Sequence, residues 1–317
     1  MIEVDRLTKR YGRFEALHHI CFRADPGEIV GFLGPNGAGK TTTMRVLTGY
    51  MPPTEGTARI AGFDVLTDSL EVRKRVGYLP ETVRLYRDMS VRGYLRFMGQ
   101  LRGVDRLDQR IDEVLDLVGL RERARRLISS LSKGMQQRVA LAQAMVHSPP
   151  VLILDEPTIG LDPHQVQELR ALIRELGRTH TILLSTHILS EAEQICDRVI
   201  IIDRGRIVAE DTPANLRDSL ARSSRLFVRV GTNPDRVAVL LARLPGVTDV
   251  RATGDGFLLT AAPHAADVRP AVASTIVAQG WPLLELRPWA VTLEEIFLEL
   301  TARLDAPAGE NEGTSHA

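Results

Sequence analysis

Eight residues, Gly34-Pro-Asn-Gly-Ala-Gly-Lys-Thr41, constrain this chain more than any other stretch. They fit the pattern G-x-x-x-x-G-K-[ST]. An apolar run, Glu28–Leu33, leads into them, and Lys40–Tyr50 follows with helical character. That context calls for a strand, a glycine-rich loop that can wrap closely around phosphate, and a helix whose first amides face the same anion. The loop from Gly34 to Thr42, with Asn36, Gly37, Ala38 and Gly39 between, supplies the cradle. Lys40 is expected to reach the β- and γ-phosphates, and the Thr41 hydroxyl to sit on Mg²⁺.

A second motif supports this reading. Val151–Leu154 is a short apolar run that ends on two carboxylates, Asp155 and Glu156. In an open α/β sheet, ligands gather at the carboxyl ends of strands. Asp155 can then hold Mg²⁺ through its water, and Glu156 can polarise the attacking water as a general base. Alone, the pair would read equally well as solvated acids capping a strand. Thr181–Ser185 and Val199–Asp203 are further runs without alternation, as in strands buried on both faces. Helical periods lie between them. In Val91–Leu101, for example, Val91, Tyr94, Leu95, Met98 and Leu101 share a face and Ser90 can cap the start. Strands alternating with helices imply an α/β domain with a parallel sheet.

A third segment, Leu131-Ser-Lys-Gly-Met-Gln-Gln-Arg138, reads as a helix start capped by Ser132. Gly134 is expected to leave that N-terminus uncovered and open to anions. With these residues in place, the stretch of roughly residues 1–215 resembles the ATP-binding-cassette (ABC) ATPase family. Gly34–Thr42 is similar to its Walker A motif, Val151–Glu156 to Walker B, and Leu131–Gln136 to the LSGGQ signature. Tyr11 stands where the family stacks an aromatic on adenine. Gly160-Leu161-Asp162 resembles the D-loop, and His187 the switch histidine. The resemblance implies a P-loop ABC ATPase domain, a mixed sheet core with a helical subdomain, that binds ATP and Mg²⁺. It also implies a head-to-tail homodimer in which Ser132 and Gly134 of one copy meet the γ-phosphate held by Lys40 of the other. His187 would contact that phosphate and help hold the water.

The sequence departs from the family pattern in two places, at three residues. The signature carries Lys133 and Met135 in place of Gly and Gln. Lys133 would either add positive charge near the nucleotide or point into solvent. Glu81, in Gly77-Tyr-Leu-Pro-Glu81, stands where the family has a glutamine that ligates Mg²⁺. A carboxylate is still a hard oxygen ligand, though a solvated Glu beside a proline turn is the plainer alternative. Together these sequences are similar to ATPases of the ABC-2 export type, including the gliding-motility-associated group. The Val83–Leu95 stretch, with Tyr86, Met89 and Tyr94, falls where the family docks its permease; the same stripe reads equally well as core.

Composition shifts near Asp211–Ser224. Beyond it, Arg225–Val230, Pro234–Leu244, Val247–Ala252, Gly256–Ala261, Asp267–Gln279 and Leu283–Leu286 read as strand, helix, strand, strand, helix and strand. That order is the ferredoxin-like split arrangement. A small α+β accessory domain over 220–304 is therefore expected, closing on a helix at Thr292–Leu304. A disordered tail over 305–317 would follow, and His264 and Trp281 would serve packing or surface. Lys plus Arg and Asp plus Glu are 40 each, so no net field points to nucleic acid or to an anionic membrane, and no nucleic-acid partner is expected. No apolar run approaches the roughly 20 residues that cross a bilayer. The two cysteines, Cys21 and Cys196, lack metal spacing and suit a reducing compartment as buried thiols. The expectation is a cytoplasmic motor, peripheral on the membrane's inner face, whose integral-membrane ABC-2-type permease is a separate chain. The cassette is single and only about 115 residues separate Lys40 from Asp155, which leaves no room for a long heptad insertion.

Overall fold

Three apolar runs without polar alternation, at 29–33, 151–155 and 181–186, become strands in which every residue is buried. A sheet covered on both faces requires this pattern. The computed structural model describes residues 1–216, 225–231, 234–262 and 267–289, and divides into units Met1–Pro213 and Ala214–Ala317. In chain order the first unit contains β1 (Ile2–Tyr11), β2 (Phe14–Ala24), β3 (Ile29–Leu33), α1 (Lys40–Leu47), β4 (Glu55–Ile60), β5 (Phe63–Asp64), α2 (Ser69–Arg75) and β6 (Val76–Leu79). Three helices follow: α3 (Val91–Leu101), α4 (Leu107–Leu117) and α5 (Lys133–Met145). It closes with β7 (Val151–Asp155), α6 (Pro163–Gly177), β8 (Thr181–Thr186), α7 (Leu189–Ile195), β9 (Arg198–Asp203) and β10 (Arg206–Asp211).

The main sheet has the order β10-β9-β3-β8-β7-β6. Its inner pairs are parallel, and β10 is an antiparallel edge. Strand β8 lies between β3 and β7, so the three segments that end in candidate motifs are neighbours. Their ends are level: Leu33 pairs with Thr186, and Asp155 with Ser185. Alternation of strands and helices gave only the parallel sheet. The structure adds an antiparallel one, β2-β1-β4-β5, whose buried Ile2, Leu7, Leu17 and Ile20 share a core with Phe32 and Met44.

Helix bounds need small corrections. Helix α1 stops at Leu47 rather than Tyr50, because Gly49 turns left-handed at φ 64° just past the Thr48 C-cap. Helix α3 begins as expected, with Ser90 Oγ accepting from the Gly93 amide at 3.1 Å. Leu101, expected on its apolar face, is 67% exposed. At about 100° per residue it falls about 80° off the Val91 stripe, in the last turn. The aromatic stripe divides. Tyr94 is buried and donates to Gln143 Oε1 at 2.7 Å, whereas Tyr86 is exposed and packs edge-on to Tyr94 and Phe97. The thiols divide too: Cys196 is buried, which pushes its pKa up, while Cys21 is exposed.

In the second unit, strands β11 (Arg225–Val230), β12 (Val247–Ala252), β13 (Phe257–Ala261) and β14 (Leu283–Pro288) form an antiparallel sheet of order β12-β13-β11-β14. Helices Pro234–Leu241 and Arg269–Ala278 are shorter than the expected spans. Val237, Leu241, Val272 and Ile276 close a core over Leu226, Val228 and Leu259, and Trp281 packs against it. His264, the Thr292–Leu304 segment and the tail lie outside the described residues.

Candidate functional site

The phosphate loop is held by packing at its last glycine. Gly39, the N-cap of α1, has φ 112°, and a Cβ there would stand 2.7 Å from Leu17 Cδ2 and 3.0 Å from the Ala16 carbonyl. Only glycine fits both constraints. Helix α1 then opens at Lys40, so its first amides lack intrahelical acceptors and face the loop's concavity. The Lys40 side chain is 6% exposed. Its ammonium donates to the Gly34 carbonyl at 2.7 Å and the Pro35 carbonyl at 3.3 Å, and lies 3.3 Å from Glu156 Oε1.

Two carboxylates close the opposite wall. Asp155, fully buried at the end of β7, accepts from Ser185 Oγ at 2.6 Å and Thr41 Oγ1 at 3.4 Å. Its Oδ2 is buried with no hydrogen-bond partner among the described residues. Burial raises its pKa, and the hydroxyls of Ser185 and Thr41 only partly offset that. Glu156 turns back at φ 48°, a left-handed conformation rare outside glycine, with its amide held by Ser185. That turn aims the carboxylate at Lys40 on one side and at His187 Nδ1, 2.9 Å from Oε2, on the other. Strain of this kind persists only where surrounding bonds over-determine it.

A raised carboxylate pKa in the folded protein means that unfolding lets Asp155 ionise more readily and release a proton. Its ionisation therefore costs stability as pH rises through the carboxylate range, and the cost is absent below it. Asp155→Asn should raise the melting temperature of the nucleotide-free protein at pH 7 and flatten its pH dependence. Scanning calorimetry across pH 4–8 checks this; a lower melting temperature at pH 7 would mean the carboxylate is stabilised where it lies.

A cavity of about 600 Å³ lies between these walls, lined by Asn36, Gly37, Gly39, Lys40, Thr41 and Thr42 of the loop together with Tyr11, Glu81, Glu156 and His187. That volume is within the range of small-molecule sites. Glu81 is exposed at its margin. Tyr11 is 45% exposed, and its hydroxyl reaches Met51 Sδ at 3.1 Å. Sequence reasoning passed over three participants. Phe14, 65% exposed, pairs with Tyr11 across the β1–β2 turn and supplies a second aromatic wall. Ile159 also lines the cavity, and Ser185 Oγ donates to the Asp155 carboxylate and accepts from the Glu156 amide. Two aromatics, Tyr11 and Phe14, flanking Gly12-Arg13 were the available signal for Phe14; Ser185, inside an apolar strand, gave none.

Ser132, Lys133, Gly134 and Met135 do not line this cavity. Ser132 caps α5 as expected, accepting from the Met135 amide at 3.3 Å. Gly134 is not uncovered. It is buried, and a Cβ there would overlap the side chain of Gln165 on α6. Lys133 is exposed, in line with the solvent alternative, and its ammonium lies beside Gly160 rather than in this cavity. Asp162 caps α6, accepting from the Gln165 amide at 2.9 Å.

A family model described as "ABC transporter" matches residues 17–159. Among curated proteins, the bacitracin transport ATP-binding protein BcrA of Bacillus licheniformis is 39% identical over 76% of this chain and 78% of its own. The daunorubicin resistance ATP-binding protein DrrA3 of Streptomyces coeruleorubidus is 36% identical over 95% of each. Among solved structures, a dimeric ATP-binding cassette in a post-hydrolysis state with ADP and Pi superposes with a TM-score of 0.59 at 25% identity, covering 67% of this chain and 98% of the other.

Proposed function

The chain belongs to the ABC transporter ATP-binding family, and from that premise we propose that it is the ATP-hydrolysing motor of an ABC-2-type exporter. It works as a head-to-tail homodimer on the inner face of a membrane, driving a separate permease. No helix among the described residues is long and apolar enough to cross a membrane, so the pathway belongs to that partner. The observation that carries the proposal is the convergence of Lys40, Glu156 and His187 around one cavity with the phosphate loop, at the level ends of three adjacent strands, with Asp155 buried behind Thr41. The relatives named for bacitracin transport and daunorubicin resistance favour export over a motility task.

The adenine would rest against Tyr11 and Phe14, and the phosphates in the Gly34–Thr42 loop. Glu156 takes the proton of a water that attacks the γ-phosphorus; the new O–P bond forms as the bond to the β–γ bridging oxygen breaks, leaving ADP and phosphate. His187 holds that carboxylate, and Ser185 fixes the turn that aims it. The donors present suit a hard cation: Asp155 Oδ2 is buried without a partner among the described residues and Thr41 Oγ1 stands beside Oδ1. Thr41, Glu81 and, through water, Asp155 would hold Mg²⁺, which would supply positive charge against the phosphates. Ser132 and Gly134, at the start of α5, would meet the γ-phosphate bound to the other copy.

Magnesium-dependent ATPase activity, with ATP-driven dimerisation measured by light scattering, tests the motor and dimer together. Co-purification of a multi-spanning membrane protein tests the permease. Replacing Glu81 with glutamine should raise the Mg²⁺ concentration for half-maximal turnover several-fold, since an amide oxygen binds a hard cation more weakly than a carboxylate does. An unchanged Mg²⁺ titration would leave Glu81 as a surface acid. We read the second unit as a ferredoxin-like domain, on its β-α-β-β-α-β order, that steadies or regulates the dimer. Truncation after Asp211 should then weaken ATP-driven dimerisation; a truncated chain with full dimerisation, ATPase rate and permease binding would refute that role.

A further inference from the structure

Glu191, on α7, is an acid buried outside the catalytic cavity, at 3% exposure. A carboxylate keeps its charge at such a position only where an ion pair and hydrogen bonds replace its water. Three side chains supply them. Arg170 of α6 stands 3.3 Å from Oε1, and the hydroxyls of Thr158 and Thr186 donate to Oε2 at 2.7 and 3.5 Å. Arg170 is steadied in turn from α7, donating to Gln194 Oε1 at 2.7 Å.

Both hydroxyls come from segments that carry catalytic groups. Thr158 follows Glu156 closely in the chain, and Thr186 immediately precedes His187. A single carboxylate oxygen therefore ties the segment leaving β7 to the end of β8. The turn around His187 is bound to the same point. Thr186 Oγ1 accepts from the Ile188 amide at 3.0 Å, and the Glu191 amide donates to the Ile188 carbonyl at 3.1 Å. Packing alone does not hold the His187 ring, whose side chain is 43% exposed. Its 2.9 Å contact with Glu156 Oε2 thus depends on how firmly the backbone on either side of it is held.

We propose that Glu191 is a positioning residue for hydrolysis. Its carboxylate, charge-balanced by Arg170, clamps the Thr158 and Thr186 segments together and so holds His187 against Glu156. The effect on turnover rests on the reading of Glu156 as the general base with His187 beside it; the clamp itself does not. Nothing in it requires a second copy of the chain, since every bond lies within one protomer.

Glu191→Gln and Thr158→Val in the full chain provide the test. The first keeps the shape and removes the charge. The second removes one hydroxyl donor and leaves the Arg170–Glu191 pair in place, so a folding defect in the first would not end the test. In each, kcat is expected to fall about tenfold, as for loss of a hydrogen bond to a charged group, while KM and the affinity for a fluorescent ATP analogue stay unchanged. Thr158→Ser keeps the donor and should stay within about twofold of the parent chain. In a His187→Ala background, Glu191→Gln should lower the residual kcat by about twofold at most, because the ring it positions is gone. An acid that served stability alone would cost the same factor in either background. Hydrogen exchange at the Ile188 amide of the nucleotide-free protein should quicken about tenfold in Glu191→Gln. Unchanged kcat in both single variants would overturn the proposal, as would a full tenfold loss on top of His187→Ala or an unchanged exchange rate at Ile188. Full turnover in Glu156→Gln would instead refute the base, and the Ile188 exchange rate would then decide separately whether the clamp exists.

Discussion

Glu156→Gln is expected to cut ATP turnover by about 10²- to 10⁴-fold, the range for removing a general base, and to trap ATP in a closed dimer. The substitution keeps the shape of the side chain and the left-handed turn, so the fold should be unaffected. It also removes the negative charge 3.3 Å from the Lys40 ammonium. Lys40 is then less tied to the protein and freer to meet phosphate, so ATP affinity should hold or rise as turnover collapses. Single-turnover hydrolysis with radiolabelled ATP and size-exclusion chromatography in ATP read both effects. Turnover at the wild-type rate would rule out Glu156 as the base and move attention to His187, its 2.9 Å neighbour.

Ser132→Arg should abolish most hydrolysis, about 10²- to 10³-fold, as when a preorganised donor to developing phosphate charge is lost. ATP binding to isolated protomers should survive, because Ser132 does not line the cavity around Lys40. The residue has a second duty, capping α5, and losing a cap costs about 1 kcal/mol. Ser132→Asn separates the two roles, since asparagine caps as well as serine but presents a different group to phosphate. A dimerisation defect in Ser132→Arg with normal thermal stability in Ser132→Asn is the expected pattern. Loss of nucleotide binding by the Ser132→Arg monomer would instead mean that the start of α5 acts on its own protomer's site.

These two experiments address halves of the site that were unequally legible. The phosphate loop, the Asp155–Glu156 pair and the buried strands could be read directly, because each is a local pattern in which a few consecutive residues fix both geometry and chemistry. The Ser90 and Ser132 caps followed for the same reason. Errors fell where a side chain's fate depends on something distant in sequence. Leu101 fits the apolar period but lies at its edge and faces outward. Gly134 looks like an open helix start, yet Gln165 from another helix lies over it. Lys133 had two plausible destinations; it stays exposed, with its ammonium beside Gly160, a neighbour that nothing local announces. Phe14 and Ser185 enter the site only because a hairpin and a neighbouring strand bring them there.

By itself, then, the sequence determined a phosphate-binding loop between a strand and a helix, two carboxylates at a second strand's end, and a family resemblance carried by motifs in order. Those are properties of short contiguous segments, where backbone geometry and residue chemistry coincide. Tertiary structure alone decided that β8 would lie between β3 and β7 and bring Ser185 and His187 to Glu156. It alone decided that Gln137 of α5 would donate to the Pro157 carbonyl, next to Glu156. Such contacts depend on packing between elements tens of residues apart, and the glycine, glutamine or lysine that makes one gives no local sign of its partner.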